Sequence, residues 1–284
     1  MSDATDPTRL AYSRAVGSPL ELAARARRRG WLAYAEHYVL TMRAFRWPLV
    51  LQSFGTPLLY LVAMGVGLGT LVDRGAGTVQ GVSYLTFVAP ALMVSTVMMG
   101  AATETTYPVM SGFKWQRLYY GASATPVSPG QIAVGHLLGA CVRFVIQAVV
   151  FWALIMAFGA GHSPWSILTI PIAVLGAVAF GAPLQAYAGT LRDEGTAFNF
   201  VNRFIVMPMT LFAGTFFPLT SMPVYLRWIG WVSPMWHATQ LARRASYGMP
   251  ESWWLTVVHV LFLVVLAVAG VTLARRVYTR RLGE

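Results

Sequence analysis

Charge is what this sequence has least of. Only 11% of its 284 residues are charged, against 56% hydrophobic, whereas a soluble domain carries about 25% charged residues. So few charges cannot cover a surface that faces water, and the solvent that needs no charges is lipid. Lysine is nearly absent too: Lys114 is the only one, and every other basic side chain apart from histidine is arginine. A Walker A loop needs a lysine directly after glycine, but Lys114 follows Phe113 and precedes Trp115, so the chain cannot cradle ATP in that way. The 10 acidic residues are scattered and offer no carboxylate cluster for a catalytic metal. The single cysteine, Cys141, cannot form an internal disulfide and reads as a small core residue, and the 5 histidines show no ligand spacing. No G-x-S-x-G elbow is present. These absences weigh against a membrane protease or lipid-modifying enzyme, and no metal or cofactor site is expected on this chain.

What is present is long apolar runs with arginine at their flanks. The mean hydropathy is +0.58, and the formal charge of +11 does not point to nucleic acid, because the arginines do not gather on one soluble face. A membrane-spanning helix needs about 20 mostly apolar residues. Six stretches qualify: Trp47–Leu71, Tyr84–Tyr107, Gln131–Phe158, Trp165–Leu191 (interrupted by Pro171 and Pro183), Phe198–Phe217 and Trp253–Ala274. The expected fold is therefore an all-α polytopic membrane protein of about six spans. Met1–Gly17 reads as polar and disordered. The first apolar run begins near Trp47, later than a cleaved leader would, so none is expected.

Arginine placement orients the spans. Arg25, Arg27, Arg28, Arg29, Arg43 and Arg46 precede the first, and Arg275, Arg276, Arg280 and Arg281 follow the last. Lys114, Arg117 and Arg192 lie in the two loops expected on the same side. The positive-inside rule makes that side cytoplasmic, with both termini there and Gly75–Gln80 outside. Arg227, Arg243 and Arg244 sit on the predicted outer side and strain the rule. Arg203, beside Asn199 and Asn202, is expected to snorkel to the inner headgroups.

Four segments carry further information. Trp31, Ala35, Tyr38, Met42 and Phe45 recur at helical spacing, which predicts an amphipathic helix over residues 31–46 on the inner leaflet; the alternative is a plain extension of the first span. In Met110–Gly130, Phe113, Trp115, Leu118 and Tyr119 alternate with Lys114, Gln116 and Arg117. This pattern predicts a short helix with exposed aromatics, stopped by Pro126 and Pro129, and marks a protein-docking site; the alternative places it in lipid headgroups. In Phe216–Met249, Pro218, Pro223 and Pro234 forbid one continuous helix, so short helices that dip into the outer leaflet and return are expected. Charges inside spans are costly and often functional: Glu104 and Arg143 are a candidate pair, the alternative for Glu104 being a water-facing interfacial carboxylate. Gly65-Val-Gly67-Leu-Gly69 and Gly135–Gly139 give the small-residue spacing that lets helices approach closely.

These residues resemble a known family. Tyr107–Arg143, above all ATPVSPGQIAVG (Ala124–Gly135), resembles the signature region of type-2 ABC exporter permeases. Phe216–Arg243 is similar to that family's proline-broken re-entrant pair followed by Pro-x-x-His-x-x-x-x-x-Arg, here Pro234, His237 and Arg243. FGTPLLYLVAMGVGLG, Phe54–Gly69, resembles the first span of the branch that holds nodulation-factor and daunorubicin-type exporters. The similarity covers nearly everything after Trp31.

The resemblance implies a half-transporter in a bacterial cytoplasmic membrane, moving a lipid, glycolipid or drug outward. It would pair with a second permease copy or paralogue and with separate ABC ATPase subunits that bind ATP and Mg. The expected organisation is a polar segment over 1–30, the interfacial helix over 31–46, a six-span transmembrane domain over 47–274 and a basic cytoplasmic tail over 275–284; the resemblance further implies that 31–46 is the family's connecting helix and Met110–Tyr120 its coupling helix. The outer arginines then cease to contradict the topology. The sequence departs from the family's larger eukaryotic members, whose fused ATPase and large outer domain are not expected here. The alternative is an ion-coupled secondary transporter, which would need a proton- or sodium-binding carboxylate near the midplane and an inverted repeat; only Glu104 comes near that role and no repeat is visible.

Overall fold

The structure is a computed structural model and describes residues 18–42, 46–75, 77–193 and 196–283. Met1–Gly17, Arg43 and Phe45 of the expected interfacial helix, and Ala76 of the first outer loop lie outside the described residues. Every element in the described chain is helical. Helix α1, Pro19–Met42, bends at Arg29. Helix α2 runs Arg46–Tyr60 and continues through a π-type stretch, Leu61–Leu68, into Gly69–Gly75. Then come α3 (Tyr84–Glu104), α4 (Tyr107–Met110, continued by Ser111–Trp115), α5 (Leu118–Ser123) and α6 (Pro129–Ala157). After these follow α7 (Thr169–Thr190), α8 (Ala197–Val201, continued through Asn202–Val206 to Met207–Phe212), α9 (Val224–Val232), α10 (Pro234–Tyr247) and α11 (Trp253–Leu282).

Side chains at the helix starts explain these boundaries. Ser128 and Gln131 form a reciprocal capping box at α6, with Pro129 in the first turn, where a missing N–H costs nothing. Helix α5 ends at Ser123, ahead of Pro126 and Pro129, and Pro129 also opens the next helix. Ser83 caps α3, and Ser233 caps α10 ahead of Pro234. Pro171 falls in the first turn of α7, and the helix continues through Pro183, so the expected interruptions do not break this span.

Among the described residues, five helical runs are long and apolar enough to cross a membrane: Ser53–Gly75, Tyr84–Trp115, Pro129–Ala157, Ser166–Thr190 and Trp253–Leu282. Helix α3 is central, with 83% of its most apolar stretch buried against 24% for α2 and 28% for α11. Helices α7 and α11 form the most extensive pair, and α7 also packs on α3, α6 and α10. The fifth expected span is shorter than Phe198–Phe217. Helix α8 ends at Phe212, because Gly214 turns the chain at φ 75° and Pro218 follows. From Ala197 to Phe212 it covers about 24 Å at about 1.5 Å per residue. Conversely, α11 runs on to Leu282, so Arg275, Arg276, Arg280 and Arg281 belong to the last span's own helix. Arginine is a good helix former, and a helix C-terminus favours cations.

Candidate functional site: an anchored loop at the basic end

Helix α1, the Met110–Gly130 loop and the last turns of α11 meet at one end of the bundle. Helix α1 starts at Pro19, well before the expected Trp31, and lies along α6. The Gly135–Gly139 pair makes this close approach possible. A Cβ at Gly135 would sit 2.6 Å from the Trp31 carbonyl oxygen, and one at Gly139 would sit 2.8 Å from Tyr38 Cβ. Gln131 adds a bond from its Nε2 to the Arg27 carbonyl, 2.8 Å.

The single helix expected over Phe113–Tyr119 is two pieces. The first ends at Trp115, Arg117 reverses the chain at φ 54°, and α5 begins at Leu118. This break sorts the aromatics onto two faces, correcting the expectation that all are exposed. Trp115 and Leu118 are 50% and 43% exposed, with Lys114, Gln116 and Arg117 beside them, while Phe113 and Tyr119 are buried. The ring of Phe113 lies 4.7 Å from that of Tyr119 and 4.8 Å from that of Tyr278, under the Arg281 guanidinium at 4.1 Å. Arg281 also donates to the Gly189 and Leu191 carbonyls, each 2.7 Å, closing the C-terminus of α7. Lys114 reaches Asp193 at 2.5 Å on the surface, and that bond holds the Asp193 carboxyl below its usual range. Gly112 leaves room for Tyr119: a Cβ there would fall 2.4 Å from the ring.

A directed hydrogen-bond chain runs inward from the loop. His136 Nε2 lies 3.0 Å from the Glu104 carbonyl oxygen, which can only accept, so Nε2 carries the proton. In the neutral ring Nδ1 then accepts, and the Tyr119 hydroxyl donates to it at 2.9 Å. Tyr278 donates to Tyr119 at 3.2 Å, and Gln185 Nε2 donates to both Tyr278 and the Ala133 carbonyl. One buried hydroxyl on the loop is thus tied to α3, α6, α7 and α11.

Glu104 and Arg143, the candidate intramembrane pair, are brought together as an ion pair, and the Tyr38 hydroxyl donates to the second Glu104 oxygen at 2.6 Å. The pair forms part of the wall of a cavity of about 470 Å³ between α1, α3 and the loop, which also takes in His37, Thr103 and Trp115. Sequence reasoning found Glu104 and Arg143 but missed Tyr38, His136, Gln185 and Tyr278. Their signal was faint: a His or Gln inside an otherwise apolar run, at a depth where an unbonded polar group is costly.

At the opposite end the prolines act as helix starters. Pro218 precedes the turn Leu219–Ser221, Pro223 precedes α9, and Pro234 opens α10. Pro234 shares a cavity of about 360 Å³ with Ala179, Phe180 and Leu266, beside the middle of α7 and α11. The far end of α10 accepts backbone bonds at Ser246 from His162 and Ser163, in the loop after α6. Helix α10 therefore runs from beside the middle of α7 and α11 at Pro234 out to the loop after α6 at Ser246. The three arginines of this end are satisfied by carbonyls. Arg243, fully buried, donates to Phe87, Gly214 and Thr215 and lies 3.7 Å over the Phe87 ring. Arg227 donates to Met222 and Thr220, and Arg244 to Glu251. His237 meets His259 of α11 at 2.6 Å.

Residues 38–247 match a family described as ABC-2 type transporter. Among similar proteins, Nodulation protein J of Rhizobium leguminosarum bv. viciae is 28% identical over 222 residues, covering 78% of this chain and 83% of that protein. Nodulation protein J of Sinorhizobium fredii is 23% identical over 252 residues, 89% of this chain and 94% of that one. The inner membrane transport permease YadH of Escherichia coli K12 is 25% identical over 224 residues, 76% of this chain and 84% of that one.

Proposed function

We propose, from the premise that this chain belongs to the ABC-2 type transporter family, that it is the membrane-spanning subunit of an exporter driven by a separate ABC ATPase. The ATPase binds ATP and Mg and docks on the basic end, which is cytoplasmic. The permease acts with a second copy or a paralogue in the bacterial cytoplasmic membrane, and its cargo is a hydrophobic or amphipathic molecule such as a lipid, glycolipid or drug. The observation that carries this reading is the two-faced loop. Trp115, Gln116, Arg117 and Leu118 point outward, while Phe113 and Tyr119 are buried against Tyr278 and His136. Trp and Arg are frequent interface hot spots. A push on the outer face is delivered through Tyr119 to α6 and α11. The ion-coupled alternative loses support, since its candidate carboxylate, Glu104, is engaged by Arg143 and Tyr38.

The test is Trp115→Ala with Arg117→Ala. The variant should fold and insert, lose ATPase co-purification and lose export, while basal hydrolysis by the free ATPase is unchanged. Truncation of a hot-spot side chain costs about 2 kcal/mol or more, so affinity should fall at least about 30-fold. Wild-type ATPase affinity together with wild-type export would sink the coupling role and favour a loop lying in headgroups.

A further inference from the structure

His237, on helix α10, and His259, on the last span, were not joined by any sequence pattern, yet they form the middle of a buried chain. His237 Nε2 lies 2.9 Å from the Trp231 carbonyl oxygen, His237 Nδ1 lies 2.6 Å from His259 Nδ1, and His259 Nε2 lies 3.1 Å from Glu251 Oε1. The side chains of His259 and Glu251 are 1% and 7% exposed, so bulk water does not mediate these contacts. Trp236 sets its ring edge-on to both imidazoles, with centroids 5.0 Å apart in each case, and Phe262 stacks on His237 at 4.0 Å.

Each of the three contacts needs one hydrogen between its two atoms. A carbonyl and a carboxylate supply none, and a neutral imidazole supplies one N–H. Two neutral rings therefore fill two contacts and leave the third with two facing lone pairs. One more proton completes the set, whether it resides on His237, on His259 or on Glu251; such a proton belongs to the cluster and not to one residue. A further proton beyond that would put a donor on both sides of one contact.

We propose that His237, His259 and Glu251 form a site that binds one proton, and that this proton fastens α10 to the last span. The other ionisable groups nearby are occupied elsewhere. Arg244 donates to Thr256 and to the Glu251 carbonyl, and Thr256 donates to Glu251 Oε2. Arg243 is taken up by the carbonyls of Phe87, Gly214 and Thr215, and Arg227 of α9 by those of Met222 and Thr220. Tyr84 of α3 donates to the Phe216 carbonyl, and Tyr247 and His162 make no described bond to either imidazole. With the proton gone, the repulsive contact is relieved by separating α10 from α11 or from Glu251. The inference rests on the geometry of α10 and α11 and not on the exporter reading, and its readouts do not involve transport.

The experiment is thermal unfolding of the full chain in lipid nanodiscs between pH 6 and 9, wild type against Glu251→Gln. Unfolded histidine has a pKa of about 6.5. Above that value the unfolded chain has released a proton that the folded cluster still holds. Below it the two unfolded histidines bind two protons against the cluster's one, so stability should peak near pH 6.5 and fall as pH rises above it, by up to about tenfold in the unfolding constant per pH unit. A glutamine amide donates a covalent N–H to His259 Nε2, so the third hydrogen is always present and this slope should vanish. An unchanged slope in Glu251→Gln would overturn the proposal.

Should that variant not fold, wild-type protein carrying ¹⁵N-histidine decides at pH 7, with resonances assigned by removing each histidine in turn. An imidazolium in the pair, or two neutral rings beside a Glu251 carboxyl that infrared spectroscopy shows protonated, supports the site. Two neutral rings beside an ionised Glu251 would end it, because the cluster would then hold no third proton.

Discussion

Tyr119 donates to Nδ1 of His136 at 2.9 Å, and the direction of that bond is set on the far side of the ring by the Glu104 carbonyl. A loop residue is thus bonded to α6 through a group that α3 holds in one tautomer. The bond has no freedom to reverse while His136 stays neutral.

Removing that hydroxyl should separate binding from response. Tyr119→Phe keeps the ring against Phe113 and Tyr278 but leaves His136 Nδ1 without a donor and Tyr278 without an acceptor. Each buried group left unsatisfied costs about 1–3 kcal/mol. Thermal unfolding should register this loss. ATPase co-purification should remain, because the exposed face is untouched, while substrate-stimulated hydrolysis should fall. Wild-type stimulation in this variant would remove Tyr119 from the transmission path.

Glu104 and Arg143 should be strongly coupled. Taking one member from a buried pair costs about 3–5 kcal/mol through the charge left behind. Glu104→Gln and Arg143→Gln should each destabilise the protein in detergent, and the double variant should recover much of the sum. Strict additivity would mean that the contact contributes nothing. Tyr38→Phe should weaken the same network by a smaller amount, because it removes one bond to the Glu104 carboxylate and no charge.

Orientation is checked with single cysteines at Thr78 and Gly283 in a Cys141→Ser background. An impermeant thiol reagent applied to intact cells should label position 78 and spare position 283. The reverse pattern would invert the topology and place the Trp115 loop outside, where no ATPase could reach it.

The spans were legible because an apolar run of about 20 residues has few other uses, and Glu104 and Arg143 were legible because charge inside such runs is rare. Helix ends were less so. Gly214 shortens α8 by a turn-forming φ that composition does not announce, and α11 continues past Ala274 because nothing before Gly283 stops it. The inward face of the loop was hidden for a different reason. Phe113 and Tyr119 look the same in sequence as Trp115 and Leu118, and only the reversal at Arg117 sorts them. His259 was hidden inside the most apolar run. The usable clue was that a short turn at Gly248 folds α10 back along α11, so a histidine on each would meet.

Lys114, bonded to Asp193 beside the exposed loop face, is the only lysine in the chain. Apart from the amino terminus, an amine-directed reagent therefore meets one address on the molecule, and that address borders Trp115. Acylation there would erase the ammonium and release the Asp193 carboxylate, so a dye attached through it reports on a chain whose surface clasp has been cut. Protection of that single amine in the assembled transporter would serve as a chemical footprint of whatever covers the loop.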